Sequence, residues 1–246
     1  MKLVRQIFRF PEPFFRVFPP VWLLIFVVLV GADLVSKKMA TDSLTFNLGP
    51  HQYWQISDPI NSNALRDGQP KIDILGEQGK YVKFRLVFND RFVFGLGPSA
   101  PVLGLCLTAI ATIFLILYRW RNPGLGYSTA WLLVFSGAFG NLIDKLFVKS
   151  LATREWVFSL SPMPGHVSGV VDFVECIWFG WDAVRDVFLL NMLAMPTWPT
   201  FNLADSCIVV GIVLLLLSMR DFAADDASEN ASASNGEGAA VTPPAK

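Results

Sequence analysis

Four long apolar runs punctuate a chain that is otherwise mixed. They are Val21–Met39, which begins VWLLIFVVLVGA, Ala100–Tyr118 (APVLGLCLTAIATIFLILY), Ser128–Phe147 (STAWLLVFSGAFGNLIDKLF) and Phe201–Met219 (FNLADSCIVVGIVLLLLSM), each of 19 or 20 residues. At 1.5 Å of rise per residue, about 20 residues of helix cross a hydrocarbon layer about 30 Å thick. Each run therefore predicts a membrane span. Four buried helices of a soluble bundle are a poor alternative, because the second run has no charge in 19 residues.

Between the runs the pattern changes. Tyr81–Phe88 alternates, with Val82, Phe84, Leu86 and Phe88 on one face and Lys83 and Arg85 on the other, which predicts a half-buried strand. Asn89-Asp90-Arg91 reads as a turn and Phe92-Val93-Phe94-Gly95 as a returning strand. Residues 42–80, rich in Gly, Pro, Asn and Asp, read as mostly irregular. Segment 176–195 mixes Trp178, Phe179, Trp181 and Phe188 with Asp182, Arg185 and Asp186. That mixture predicts an amphipathic helix in the membrane interface, ended by Pro196 and Pro199. Residues 221–246 are small, polar and acidic and read as a disordered tail.

Positive charge orients the spans. Lys2, Arg5, Arg9 and Arg16 precede the first run against Glu12 alone, Arg119 and Arg121 lie between the second and third, and Arg220 follows the fourth. Alternating spans put all of these on the cytoplasmic side, with both termini. Segments 40–99 and 148–200 then face outward. A cleaved signal peptide ending near Val30-Gly31-Ala32 is the alternative for the first run. Its removal would leave three spans and put the remaining loop charges on the wrong side, so a retained helix is expected.

Composition agrees. The chain has 246 residues, 53% hydrophobic and 16% charged, against about 25% charged in soluble domains. Disorder is excluded for its bulk. Twenty basic and twenty acidic residues cancel, so no basic excess points to nucleic acid. Three cysteines without a C-x-x-C exclude a disulfide scaffold, and Cys106, Cys176 and Cys207 read as small apolar fillers.

The exceptions inside the runs are Asp33, Lys37, Lys38, Asp144, Lys145 and Asp205. Asp144 lies 16 residues past Ser128 and Lys37 lies 16 past Val21, which is about 24 Å from the cytoplasmic end. Asp205, 15 residues before Arg220, lies about 22 Å from it. Three spans thus bring ionisable groups to one outer layer. A charge there costs roughly 2.5–3.5 kcal/mol on the insertion scale and is normally partnered or functional. Asp33 and Lys37, at i,i+4, read as a structural ion pair at a helix end. Gly137, Asn141 and Asp144 share a face that serves equally as a packing motif with polar glue or as part of a site. Asn202 and Asp205 also share a face, and Asp205 reads either as an N-terminal charge favoured by the helix dipole or as functional. Asp172, in the apolar string Val170-Val171-Asp172-Phe173-Val174, reads either as a turn or strand-end residue or as functional.

His51 and His166 are the only histidines, both outside the runs and without an H-E-x-x-H. This argues against metal-dependent hydrolysis and against a Ser-His pair. Ser136 has no base that the sequence reveals. Carboxylate chemistry remains: two Asp side chains sharing one proton, one acting as base on a water and the other as acid on a carbonyl.

Five separated patches over roughly residues 20–220 resemble the lipoprotein signal peptidases (signal peptidase II). These are Asp33…Lys37; Asn89-Asp90-Arg91-Phe92-Val93-Phe94-Gly95, against the family's N-x-G-A-A-F-G; Gly137-Ala138-Phe139-Gly140-Asn141-Leu142-Ile143-Asp144-Lys145, against G-A-x-G-N-x-x-D-R; Val170-Val171-Asp172-Phe173, against V-V-D-F; and Phe201-Asn202-Leu203-Ala204-Asp205-Ser206, against F-N-x-A-D-S. The resemblance implies an aspartic endopeptidase of the bacterial inner membrane that cleaves signal peptides from diacylglyceryl-modified prolipoproteins. It assigns the catalytic dyad to Asp172 and Asp205. It gives Asn89, Asn141, Asp144, Lys145, Asn202 and Ala204 site-shaping or substrate-binding places, with Asp33 and Lys37 structural.

The chain departs from the family in three ways. Lys145 replaces an Arg and loses a planar bidentate donor. Arg91, Phe92 and Val93 replace small residues. The links on both sides of Asp172, about 147–169 and 176–200, are longer than usual and are expected to form an enlarged lid or membrane-surface platform.

The expected fold is therefore an all-α membrane protein. Its 1–220 domain is a bundle of four transmembrane helices with a small extracytoplasmic β-cradle and an interfacial helix, followed by the tail 221–246. No metal or other cofactor is expected. Expected partners are prolipoprotein substrates and membrane lipids, with no nucleic acid, and the chain is expected to be a monomer. The alternatives are a non-catalytic four-helix membrane protein or transporter with a carboxylate proton relay, and a family member that binds lipoproteins without cutting them.

Overall fold

A computed structural model describes residues 18–44, 71–77, 80–90, 101–150, 153–177, 186 and 198–218. Within them, helices α1 (Pro20–Leu44), α2 (Pro101–Arg121), α3 (Ser128–Lys145) and α4 (Leu203–Ser218) fall on the four apolar runs. α1 and α2 are long and apolar enough to cross a membrane, with mean hydropathies of 1.9 and 2.3.

The bundle is polar inside and apolar outside. Leu24, Val28 and Val35 of α1, Ile110 and Phe114 of α2, and Val209, Val213 and Leu216 of α4 are exposed, whereas Asp33, Lys37, Thr41, Ser136, Asp144 and Asn202 are buried. In water such an outer surface would drive aggregation. Against lipid tails it costs nothing, and the fold is that of a membrane protein. Of the three cysteines read as fillers, Cys207 is buried, Cys176 is half-buried, and Cys106 instead faces outward on α2.

α1 runs five residues beyond the apolar run because its last turn has work inside the protein. Thr41 donates its hydroxyl to the Lys37 carbonyl at 2.9 Å. Ala40 and Leu44 pack with Leu86, Val171 and Phe173 of the extramembrane sheet. At the other end of the bundle Phe18, Trp131 and Phe135 form an aromatic cluster. There Arg119, stacked on Trp131 at 5.8 Å, donates to the Asn122 and Leu125 carbonyls and closes α2.

Strands β1 (Lys71–Leu75), β2 (Val82–Asn89) and β5 (Val170–Cys176) form an antiparallel sheet in the order β1-β2-β5. β2 is the strand that alternation predicted. β1 is a correction, since 42–80 reads as mostly irregular. All five of its residues are exposed, so it is held by its backbone ladder to β2, and its alternation Lys71-Ile72-Asp73-Ile74 is a short signal in a Gly- and Pro-rich stretch. β5 is the other correction: Asp172 sits inside a strand, opposite Val87, and not at a turn or strand end. On the sheet's polar face Lys83 lies opposite Glu175 and pairs with it at 3.0 Å, and Arg85 closes on the same carboxylate.

Strands β3 (Phe147–Lys149) and β4 (Trp156–Phe158) make a hairpin inside the first enlarged link. The returning strand Phe92–Gly95, the interfacial helix over 176–195 apart from its first two residues and Asp186, the basic N-terminal residues and the tail 221–246 lie outside the described residues.

The fourth run is not helical from its start. Phe201 bridges to Val174, with N–H···O contacts of 2.9 and 3.1 Å, and Asn202 caps the helix. This bridge seats the beginning of α4 beside β5. α4 then packs close on α3, because a Cβ at Gly137 would stand 2.2 Å from the Ala204 carbonyl, and one at Gly211 would stand 2.8 Å from the Ala130 carbonyl. Gly137→Ala is expected to push the helices apart at a cost of about 1–3 kcal/mol and to lower the thermal midpoint in detergent. An unchanged midpoint would contradict this close approach.

Candidate active site

The motif Asn202-Leu203-Ala204-Asp205 is the start of a helix before it is anything else. The first backbone N–H groups of a helix have no internal acceptor. Asn202 Oδ1 accepts from the Asp205 N–H at 2.9 Å, and Asp205 Oδ2 accepts from the Asn202 N–H at 3.2 Å. The two residues form a reciprocal capping box. The Ala204 N–H is satisfied from another helix, donating to Asp33 Oδ1 at 2.8 Å. Ala204 is itself buried, and its small side chain lies over Gly140.

With its oxygen committed to the cap, Asn202 turns its amide outward. Nδ2 donates to Asp172 Oδ1 at 2.7 Å, with the Asn141 Oδ1 and Val171 carbonyls at 3.3 Å. Asn89, at the end of β2, donates to Asp172 Oδ2 at 3.2 Å. Asn141, on α3, donates to Asp205 Oδ1 at 2.8 Å. Asp172 from the sheet and Asp205 from α4 thus face one polar site, both touched by Asn202. Asp172 is 3% exposed. Burial, and then the neighbouring charge of Asp205, push its carboxyl up to about 8, against the opposing pull of the Asn89 and Asn202 hydrogen bonds and of Lys37. A carboxylic acid therefore stands protonated there at neutral pH.

Beneath this site lies a buried charge cluster. Lys37 Nζ reaches Asp33 at 2.8 Å, Asn141 Oδ1 at 2.9 Å and Asp144 at 3.4 Å. The expected Asp33–Lys37 pair is present, but not at a helix end: it lies well inside α1, and Asp33 also anchors α4. Asp144 has a double task. Its Oδ2 accepts the Val171 N–H at 2.8 Å, next to Asp172, and its other oxygen pairs with Lys149. Gly137, Asn141 and Asp144 therefore divide between packing and the site: the glycine packs, and the two polar residues reach toward Asp172 and Asp205.

Lys145 lies within the electrostatic reach of Asp144, Asp172, Asp90 and Asp205. It lines a cleft with Asp90, Leu105, Ser159 and Gly169, and among the described residues it makes no hydrogen bond or ion pair. The residues that pattern reading missed are Lys149 and Glu175. Glu175 carried a signal, because it is a second carboxylate in the apolar string that singled out Asp172. Lys149 carried none, since it lies beyond the third run among ordinary loop residues.

An outwardly apolar bundle with carboxylates gathered at its polar end defines a membrane enzyme, and its relatives define which kind. The family model described as Signal peptidase (SPase) II matches residues 25–220. The lipoprotein signal peptidase of Leptospira biflexa serovar Patoc is 35% identical over 209 residues, covering 84% of this chain and 92% of that protein. That of Borrelia duttonii is 26% identical over 189 residues, covering 75% and 89%. A bacterial membrane enzyme solved by the in meso method at 2.3 Å matches at TM-score 0.50 and 20% identity, over 88% of this chain and 96% of its own, so the fold is shared. The chain belongs to the signal peptidase II family, and it is accordingly an aspartic-type peptidase.

Removing one member of a buried ion cluster leaves an uncompensated charge. Lys37→Met, which strands Asp33, is expected to destabilise the protein by about 3–5 kcal/mol, read as a lowered unfolding midpoint in detergent. Wild-type stability would show that the cluster is not a structural hub.

Proposed function

We propose that the protein removes signal peptides from diacylglyceryl-modified prolipoproteins, with Asp172 and Asp205 as the catalytic dyad. The observation that carries this is the single residue Asn202, which hydrogen-bonds Asp172 at 2.7 Å while its backbone and cap oxygen hold Asp205. The names of the relatives, lipoprotein signal peptidases, support the substrate class.

In this reading Asp172 holds the shared proton. Asp205 sits at a helix N-terminus and accepts the Asn141 and Asn202 donors. Asp205 takes a proton from a water as its oxygen attacks the scissile carbonyl carbon, and Asp172 gives its proton to the carbonyl oxygen. Collapse of the resulting gem-diol returns a proton to Asp172, while Asp205 passes its proton to the departing amine. Asn89, Asn141, Asn202 and Ala204 hold the dyad and its surroundings. Lys145, in the cleft with Asp90 and Gly169 and within electrostatic reach of Asp172 and Asp205, meets the substrate.

Four spans, both termini in the cytoplasm and the site at the outer face of the inner membrane complete the reading, and the protein works as a monomer. The charges that α1, α3 and α4 bring together beneath the site and the apolar outer surface support that arrangement.

Asp172→Asn and Asp205→Asn are each expected to lower cleavage of a purified diacylated prolipoprotein by at least about a thousand-fold, within the range that acid–base groups contribute. Turnover in either folded variant would overturn the dyad. Asp172 is raised above its ordinary value, so its proton is present at pH 7 and lost as pH rises through about 8. Cleavage should fall across that window. Ionising a buried carboxyl also costs stability, so Asp172→Asn should melt no lower than wild type at pH 9. A cleavage rate that stays flat from pH 7 to 9.5 would contradict Asp172 as the acid.

A further inference from the structure

Lys149 is fully buried, and the reading of its neighbours as the catalytic centre does not use it. An ammonium has three N–H donors and no acceptor. Lys149 Nζ has three acceptors around it: the Asp144 carboxylate, the Asp144 backbone carbonyl at 2.9 Å and the Gly169 carbonyl at 2.6 Å. The face of Trp156 covers the group at 4.9 Å. Two donors meet backbone carbonyls, the charge pairs with the Asp144 carboxylate, and the remaining side is closed by an aromatic ring, so the group is fully engaged inside the protein.

The three acceptors are not scattered. The Asp144 carbonyl is one of the last carbonyls of α3, which lack intrahelical partners and favour a cation. The Gly169 carbonyl belongs to the residue just before β5, held at φ +109° where a side chain would strike the Asn89 backbone at 2.6 Å. The Asp144 carboxylate, on its other oxygen, takes the Val171 N–H. One ammonium thus ties the end of α3 to the residues on both sides of Val170, immediately ahead of Asp172. Lys149 is itself fixed at the turn end of the β3–β4 hairpin, opposite Trp156, and by N–H···O bonds with Val167 in both directions at 2.9 and 2.8 Å.

We infer that Lys149 is a positioning residue for the peptidase reaction: by joining the end of α3 to the start of β5 it sets where Asp172 stands relative to Asp205. The inference rests on the dyad reading above. A planar guanidinium cannot direct three converging donors at these three acceptors, so charge alone does not meet the requirement.

The test uses full-length protein in detergent with a diacylated prolipoprotein, and measures kcat, KM and the thermal midpoint for wild type, Lys149→Met and Lys149→Arg. Misplacing a reacting group by about an ångström costs on the order of a hundred-fold. Lys149→Met, folded, should lower kcat by about ten- to a hundred-fold while KM stays within about twofold, because Lys149 does not face substrate. Lys149→Arg, which keeps the pair with Asp144, should recover folding but not the full kcat. Wild-type kcat in folded Lys149→Met overturns the inference. If Lys149→Met does not fold, wild-type kcat in Lys149→Arg overturns it. If neither folds, it is also overturned, since Lys149 then serves folding and not placement. A rise in KM at constant kcat would overturn it too, by making Lys149 a substrate contact. If wild type itself does not cleave, it is the function that fails, which is a separate outcome.

Discussion

Four charges, Asp33, Lys37, Asp144 and Lys149, neutralise one another out of reach of water, and the site stands on them. None is more than 1% exposed. An isolated buried charge is among the most costly groups in a folded chain, so each of these is tolerable only while the other three are in place. The cluster therefore couples elements that packing alone would leave independent. Asp33 reaches from α1 to the N-terminus of α4, Asp144 reaches from α3 to β5, and Lys149 reaches from the hairpin back to α3. Moving any one element strands a charge.

This explains how two carboxylates from different kinds of structure come to share a site. Asp205 is placed by helix chemistry, as the fourth and closing residue of a capping box. Asp172 is placed by sheet chemistry, in a strand paired to β2. Asn202 joins the two, because its oxygen serves the cap and its amide group serves Asp172. The residues that make α4 begin properly are the residues that assemble the site, and structure and chemistry are not separable there. The outer, apolar surface adds the remaining condition, since lipid around the helices keeps water from competing for these polar contacts.

Much of this was legible in the residues. The four apolar runs marked the helices, because a span of lipid demands length and hydropathy whatever its neighbours. Asp33, Lys37, Asp144 and Asp205 stood out as charges in those runs, and rise per residue put three helices' worth of them in one layer. Asp172 was even between a bland and a functional reading until the resemblance to a family weighed in. β1 was passed over because the alternation Lys71-Ile72-Asp73-Ile74 is only four residues long, stands in a stretch rich in Gly, Pro, Asn and Asp, and buries neither face. Lys149 was invisible for a different reason: a lysine after a helix is ordinary, and only its three acceptors, one of them 20 residues away, make it unusual.

By itself the sequence determined what depends on local pattern and solvent: where helices run, which charges are anomalous, and which family the motifs resemble. Only the tertiary structure decided the partners. It joined Asn202 to Asp172 across 30 residues and Asp33 to Ala204 across 171. It moved the Asp33–Lys37 pair from a helix end to the centre of the bundle and turned Lys149 into a clamp. The reason is physical. A hydrophobic span is a bargain between one helix and lipid, whereas the worth of a buried charge or hydrogen bond is set by whichever group stands opposite, and that is known only once the chain has folded.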